Sequence, residues 1–187
     1  MKERMNYSLD WLKQETEKGK PPEFLFFWGH TPKQESVIDK SCLSQWFPSL
    51  FTVDGITYLT AEQWMTAKKA ALFNDVEMLK KILDSDKPSV AKEMGRKVKN
   101  FNPKIWSRAC LEIVIEGNLH KFTQHNGLKK FLLDTGDKVI VEASPQDKIW
   151  GIGLSQDARE SRDPFGWKGT NLLGFALMEV RDCLKNN

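Results

Sequence analysis

Glu62 and Lys69 are the two residues whose types and spacing point most directly to chemistry. They lie seven positions apart in a segment predicted to be helical, so their side chains are almost in register, two turns apart. Apolar neighbours such as Trp64 and Leu72 favour partial removal of Lys69 from water, which lowers the pKa of its amine and raises its nucleophilicity. The alternative is a solvated lysine that forms a surface pair with Lys68.

A second group of candidates lies in residues 141–153, with the sequence VEASPQDKIWGIG. A predicted strand carries Glu142 to a Ser-Pro turn, and Asp147 follows near that turn. Carboxylates at the end of a strand serve as acid, base or electrostatic stabiliser. Two glycines, Gly151 and Gly153, follow Trp150 and allow the backbone to approach a ligand closely, and the indole offers a stacking surface. The alternative is a turn with an Asp cap and a core tryptophan.

Two shorter segments suit ligand binding. Ser44, Gln45 and Trp46 precede a predicted hairpin, and a Gln–Trp pair can recognise a base by hydrogen bonding and stacking, although a core tryptophan is equally open. Gly169 and Asn171 open the last predicted helix, where free backbone N–H groups form a natural anion site. Simple helix capping is the alternative there.

Composition limits the classes of function. The formal net charge of +3 is too small for a dedicated DNA-binding domain, but it suits an anionic, phosphate-bearing small molecule. The three histidines and three cysteines show no metal-ligand spacing, so no metal or other cofactor is predicted. The odd cysteine count argues against a disulfide framework, and neither a signal core nor a membrane-spanning run is present in the sequence. We expect a cytoplasmic protein without a membrane partner.

Local signals predict an α+β fold, a helix-rich single domain with a small β-sheet. Strands are expected at residues 24–28 and 138–143, with a hairpin at 51–58 around Asp54–Gly55. Capping and periodicity predict helices at 60–73, 74–83, 88–98, 102–117, 128–133 and 171–184. Gly117 is interpreted as the end of the fourth of these. Asn6 or Ser8 is expected to cap a short helix before Gly19.

Several longer motifs follow one another between residues 26 and 182. They are FFWG at 26–29, LSQWF at 43–47, TAEQWMTAKKAALF at 60–73, GRKVKNF at 95–101, KFTQ at 121–124, LLDTGDKVIVEASPQDKIWGIGL at 132–154 and WKGTNLLGFALMEVRD at 167–182. In this order and spacing the chain resembles the NADAR (YbiA-like) family. Residues 1–22 fall outside the resemblance and are expected to form an N-terminal extension of a catalytic domain at 23–187.

The resemblance implies a YbiA-like fold and hydrolysis of the N-glycosidic bond between a (phospho)ribose or ADP-ribose and a heterocyclic base or amine. Riboflavin-pathway intermediates and ADP-ribosylated guanine in DNA are the substrates it suggests. It places Lys69, Glu62, Asp147 and Glu142 in catalysis. The substrate-binding residues it suggests are Trp28, Gly29, Ser44, Gln45, Trp46, Arg96, Trp150, Gly151, Gly169 and Asn171. One departure is Lys68, where many members carry Gln, which favours a more anionic substrate.

Two alternatives stay open on the sequence. The pocket can bind ADP-ribose or NAD-like nucleotides without turning them over, as a sensor module. Within the enzyme reading, Lys69 either attacks the anomeric carbon to form a Schiff base, or orients the substrate while Asp147 or Glu142 activates water.

Overall fold

The computed structural model describes residues 5–19 and 22–186. The chain divides into two compact units, the first made of residues 1–44 with 127–187 and the second of residues 45–126. Within the described residues the secondary structure is mainly helical, with two separate two-stranded sheets. This confirms the helix-rich α+β class, while the predicted small sheet is divided into two.

The first unit is built on a parallel strand pair. Strand β1 pairs with β4, and Phe26 lies opposite Val141 in the register. Parallel strands need a crossover connection, which here includes all of the second unit. The elements of the first unit are α1 (Leu9–Glu17), β1 (Phe24–Phe27), a 3-10 helix (Lys40–Leu43), α6 (Asn126–Asp134), β4 (Val139–Glu142), a second 3-10 helix (Arg159–Arg162) and α7 (Leu172–Lys185).

The N-terminal helix α1 is anchored to α7. Its N-cap is Ser8, one of the two predicted caps, and Leu12 is fully buried. The Tyr7 hydroxyl donates to Asp182 Oδ2 at 2.5 Å, and the Trp11 ring meets Phe175 edge-on with centroids 6.5 Å apart. Burial, together with this carboxylate, raises the pKa of Tyr7 to about 12. The described part of the extension is therefore packed into the first unit.

The second unit packs four helices and a hairpin around the indole of Trp64. Its elements are β2 (Phe51–Val53), β3 (Ile56–Tyr58), α2 (Ala61–Leu72), α3 (Val76–Leu83), α4 (Pro88–Arg96) and α5 (Pro103–Gln124). Asp54 and Gly55 both have positive φ, as a two-residue type I′ turn requires, so the predicted hairpin is confirmed. Trp64 is fully buried with Phe51 and Tyr58 against it.

Caps define most helix starts as the sequence predicts. Thr60 Oγ1 accepts from Gln63 N at 3.2 Å at the start of α2, and Asn102 with Pro103 begins α5. The α3 cap is Asp75, one residue later than predicted, because its carboxylate accepts from Met78 N.

The predicted end of α5 at Gly117 is wrong, since the helix continues to Gln124. Gly117 lies against the Trp64 ring, and a Cβ at this position would come within 2.3 Å of Trp64 Cδ1. The indole nitrogen donates to Ile113 O at 2.8 Å one turn earlier. The glycine therefore provides room for an indole packed against the helix, and its helical neighbours outweigh the cost of its flexibility.

Candidate functional site

Helix α2 holds Glu62 and Lys69 on a rigid backbone. The Gln63 side chain accepts from Leu59 N at 2.7 Å and donates to Ile82 O at 3.0 Å, which fixes the first turn of α2 to the end of α3. Glu62 is buried, with 4% of its surface exposed, and its N–H donates to Gln45 O at 2.9 Å. The predicted proximity of Glu62 and Lys69 along the helix is confirmed, and the charge of Glu62 acts on the lysine.

Lys69 is half-buried between a carbonyl and two aromatic rings. Its amine donates to Gly95 O at 2.8 Å, in the last turn of α4. The ring centroid of Phe101 lies 4.2 Å from Nζ and that of Trp106 lies 5.5 Å from it. Burial lowers the pKa of the Lys69 amine, and the Glu62 charge opposes this by favouring the ammonium form. A lowered pKa increases the fraction of neutral, nucleophilic amine at physiological pH.

Lys68 occupies a different environment from Lys69. Its Nζ lies 4.3 Å from the Trp64 ring centroid. It also lines a largely apolar cavity of about 200 Å³ beside the hairpin, with Asp54 and Tyr58, and neither Glu62 nor Lys69 lines this cavity.

Gln45, Trp46 and Arg96 also belong to the second unit. Gln45 is buried, and its Oε1 accepts from Asn118 Nδ2 at 2.7 Å. The half-buried Trp46 ring has Lys92 Nζ 5.5 Å from its centroid. Arg96 is the exposed last residue of α4, one helical turn after Lys92. A cation pair and an indole on this unit are suited to an anion that carries a flat ring.

In the first unit, Glu142 and Asp147 flank a tightly bonded turn. Glu142 is the half-buried last residue of β4, and its backbone oxygen accepts from Ile152 N at 2.9 Å. Asp147 Oδ1 accepts from Ile149 N at 2.9 Å and from Trp150 N at 2.8 Å. Asp147 therefore acts as the turn acceptor that the alternative interpretation of this segment described.

Glycines in this turn are needed for backbone packing within the protein. A Cβ on Gly151 would lie 2.8 Å from Glu142 O, and one on Gly169 would lie 2.4 Å from Gly151 O. A side chain at Gly151 would therefore collide with the end of β4, which is one reason for glycine at this position. Half-buried Trp150 sits beside this contact.

The prediction that the backbone N–H groups at the start of α7 are free is wrong. The N–H groups of residues 170–173 donate to the carbonyls of residues 148–151, at distances of 3.0 to 3.2 Å. Asn171 has no exposed surface, and its side chain accepts from Glu142 N at 2.9 Å and donates to Ile140 O at 2.9 Å. The helix start therefore binds a loop and a strand of its own unit instead of an anion.

The remaining predicted binding residues lie at the ends of short elements. Trp28 directly follows β1 and is 66% exposed, and Gly29 after it has a φ of 83°. Ser44 ends the first 3-10 helix, with its N–H donating to Ser41 O at 3.0 Å.

Two buried polar residues of α5, Asn118 and Lys121, are not among the predicted site residues. Both have no exposed surface. They continue the helical spacing of the buried Cys110 and Val114, so polar residues at core positions were a readable signal. The predicted end of α5 at Gly117 placed both residues outside the helix, so this polar signal was not used.

The chain matches the NADAR domain model over residues 26–185. The chain belongs to the NADAR family. An N-glycosidase of Acanthamoeba polyphaga mimivirus is 46% identical over 165 residues, covering 86% of this chain and 95% of that protein. N-glycosidase YbiA of Escherichia coli is 33% identical, covering 71% and 74%. The NADAR resemblance is thereby confirmed, and N-glycosidase is the activity named for these relatives.

The fold is also that of a solved NADAR relative. The NMR structure of the E. coli protein YbiA matches with a TM-score of 0.71 at 27% identity, covering 89% of this chain and 88% of that one. Within residues 5–19 and 22–186, no helix is long and apolar enough to cross a bilayer, and no group of three or more His, Cys, Asp or Glu can hold a metal ion.

Proposed function

We propose that this NADAR protein is an N-glycosidase that hydrolyses the bond between a ribose phosphate or ADP-ribose and a heterocyclic base or amine. The observation that carries the proposal is the environment of Lys69. A half-buried amine with a lowered pKa, on the same helix face as a buried carboxylate, supports nucleophilic chemistry at an electrophilic carbon. The activity named for the relatives supports the same reaction.

In the proposed mechanism, the Lys69 amine attacks the anomeric carbon. The new C–N bond forms as the bond to the base breaks, and the base leaves with the electron pair and takes up a proton. The amine nitrogen then loses its protons while the ring oxygen gains one, so the sugar opens to an imine. Water adds to the imine carbon, which releases Lys69 and an aldehyde that closes again to ribose. Glu62 and Asp147 are the proposed proton carriers.

A direct route is the competing mechanism. Asp147 or Glu142 activates water against an oxocarbenium-like carbon, and Lys69 only orients the substrate. Borohydride reduction during turnover separates the two routes, because it traps an imine on Lys69 as a stable secondary amine that mass spectrometry detects. An unmodified Lys69 in an active reaction, beside a control imine that is trapped, contradicts the covalent route.

Trp46 and Trp150 are the proposed stacking surfaces for the base, each worth about 1–3 kcal/mol if it stacks. Arg96 is the proposed phosphate ligand. We expect Arg96→Ala to raise KM for phosphorylated substrates much more than for dephosphorylated ones. Equal losses for both would remove Arg96 from this role. Trp28, Gly29, Ser44, Gly151 and Gly169 remain further proposed binding positions.

A substrate panel tests the function itself. Phosphoribosylamines of the riboflavin pathway, an oligonucleotide with ADP-ribosylated guanine, and NAD are incubated with the protein, and released base is measured by chromatography. Release from one class identifies the substrate. Tight binding of ADP-ribose without any release would favour the sensor module instead. The proposed setting is the reducing cytoplasm, because the odd count of three cysteines argues against a disulfide framework.

A further inference from the structure

Two buried amide side chains of the second unit form a directed pair. Asn118 lies on α5 with no exposed surface, and Gln45 is 8% exposed. Asn118 Nδ2 donates to Gln45 Oε1 at 2.7 Å. Buried amides in direct contact constrain each other strongly, since a misdirected amide places two donors or two acceptors face to face.

A backbone carbonyl fixes the direction of this pair. Asn118 Nδ2 also donates to Val114 O at 2.8 Å, one turn earlier on α5. A carbonyl can only accept, so the Asn118 amide must keep its nitrogen on this side. Gln45 must then offer its oxygen to Asn118, which turns its Nε2 group to the opposite side.

The second polar atom of each amide in the pair is buried and, in the described part of the chain, unpaired. Gln45 Nε2 and Asn118 Oδ1 have no hydrogen-bond partner among the described residues. A buried N–H group without a partner is costly, which makes it a strong discriminator for a ligand atom that can accept. The backbone of Gln45 is tied to the candidate catalytic helix, because its carbonyl accepts from Glu62 N.

We propose that Asn118 is a positioning residue that holds Gln45 as a hydrogen-bond donor to an acceptor atom of the substrate. A carbonyl oxygen or ring nitrogen of the base, or a ribose oxygen, is the chemistry that fits. This inference rests on the proposed function and adds a specificity element to it. It predicts that substrates presenting only a donor at this position are rejected.

A double-mutant cycle on KM tests the relay from Asn118 through Gln45. The variants are Asn118→Leu, Gln45→Met and the double variant, each close in shape to the residue replaced. Each single variant is expected to raise KM for the best phosphoribosylamine of the panel by about tenfold, with kcat nearly unchanged. The double variant is expected to show about the same tenfold rise, because Asn118 acts only through Gln45. Effects that multiply to about a hundredfold would overturn the relay.

Two controls keep the outcome decisive. The same four proteins are titrated calorimetrically with ADP-ribose, so that the cycle has a readout that needs no turnover. The side-chain amide signal of Gln45, assigned by its loss in Gln45→Met, is expected to shift in wild-type spectra when ADP-ribose is added. A wild type that hydrolyses substrate but shows a multiplicative cycle, or no shift of this signal, refutes the relay alone. A wild type that neither hydrolyses nor binds refutes the proposed function as well.

Discussion

The candidate residues of the two units differ in what their polar groups are used for. In the first unit, Asp147, Asn171 and the first N–H groups of α7 all bond to the protein's own backbone. In the second unit, Lys69 faces two aromatic rings, and the buried side-chain nitrogen of Gln45 has no partner within the residues that the structure describes. The segment with the densest ligand-like motif is therefore the one with most of its polar groups already engaged, and the chemistry is better sought on α2.

The largest expected effect comes from Lys69. We expect Lys69→Met to lower kcat/KM about a thousandfold or more with little change in melting temperature, because the nucleophile is removed. Lys69→Arg is the matched control, since it keeps the charge and a donor for Gly95 O but is not a nucleophile. Base release followed by chromatography measures both. Substantial activity in Lys69→Arg would assign the lysine an orienting role only.

In the first unit, substitutions of Asp147 separate a catalytic role of its carboxylate from its role as a turn acceptor. Asp147→Asn keeps an Oδ1 that accepts from Ile149 and Trp150, so we expect an unchanged melting temperature. If the carboxylate carries a proton, kcat falls about a hundredfold or more. Asp147→Ala is the matched variant, and it should also lower stability by about 1 kcal/mol as a turn acceptor is lost. Full activity of Asp147→Asn would leave this residue a structural part of the turn.

A substitution of Asn171 tests whether its side chain stabilises the fold through its bonds to β4. We expect Asn171→Ala to lower the free energy of unfolding by about 2–4 kcal/mol, because the buried carbonyl of Ile140 and the part-buried N–H of Glu142 in β4 lose their bonds. Asn171 has a φ of 54°, and the exposed Asn100 has a φ of 56°. Asn100→Ala therefore carries the same backbone strain without the buried bonds, and urea denaturation of both variants isolates the side-chain contribution. Equal losses would contradict the bracing role of Asn171.

The smallest expected effect is a change in the titration of Lys69. Reductive methylation with ¹³C-formaldehyde and NMR should place its pKa below 10.5. Phe101→Leu admits water and should move this pKa upward. In the covalent route, kcat/KM rises with pH until the amine is neutral and then levels. Phe165→Leu removes the ring that Lys13 contacts in the first unit, and it is the control that should leave the Lys69 signal in place.

The lowered pKa of Lys69 makes the stability of the folded protein depend on pH. Because folding lowers the Lys69 pKa, the unfolded chain binds more protons between the folded pKa and 10.5. The contribution of Lys69 to stability therefore rises with pH in that window, and below it the buried charge is unfavourable. A Lys69→Met variant should lose this rise in pH-dependent unfolding.

Local signals predicted most of the elements. Thr60, Asn102 and the Asp54–Gly55 turn act within a few residues of themselves, so the sequence contains their whole cause. Gly117 is different, because a glycine is needed there to make room for the ring of Trp64, more than fifty positions earlier in the sequence. Asn171 likewise depends on strand β4. Residues whose role comes from a distant partner were misread or missed.

In the candidate site, too, local features were predicted from the sequence and features that depend on distant residues were not. The helical spacing of Glu62 and Lys69 was readable, since both lie on one helix. The rings around Lys69 come from Phe101 and Trp106, beyond two intervening helices, so its environment followed from tertiary packing alone. Asn118 was hidden by the misplaced end of α5.

The first turn of α7 holds both the loop at residues 148–151 and the end of β4. Its N–H groups bond to the carbonyls of residues 148–151, while Asn171 bonds to the end of β4. Fraying of this turn would release the loop and the strand end together, so their amide hydrogens should exchange as one cooperative group. The opening equilibrium of the WGIG segment is thus set by the stability of the first turn of α7 rather than by the flexibility of its own glycines.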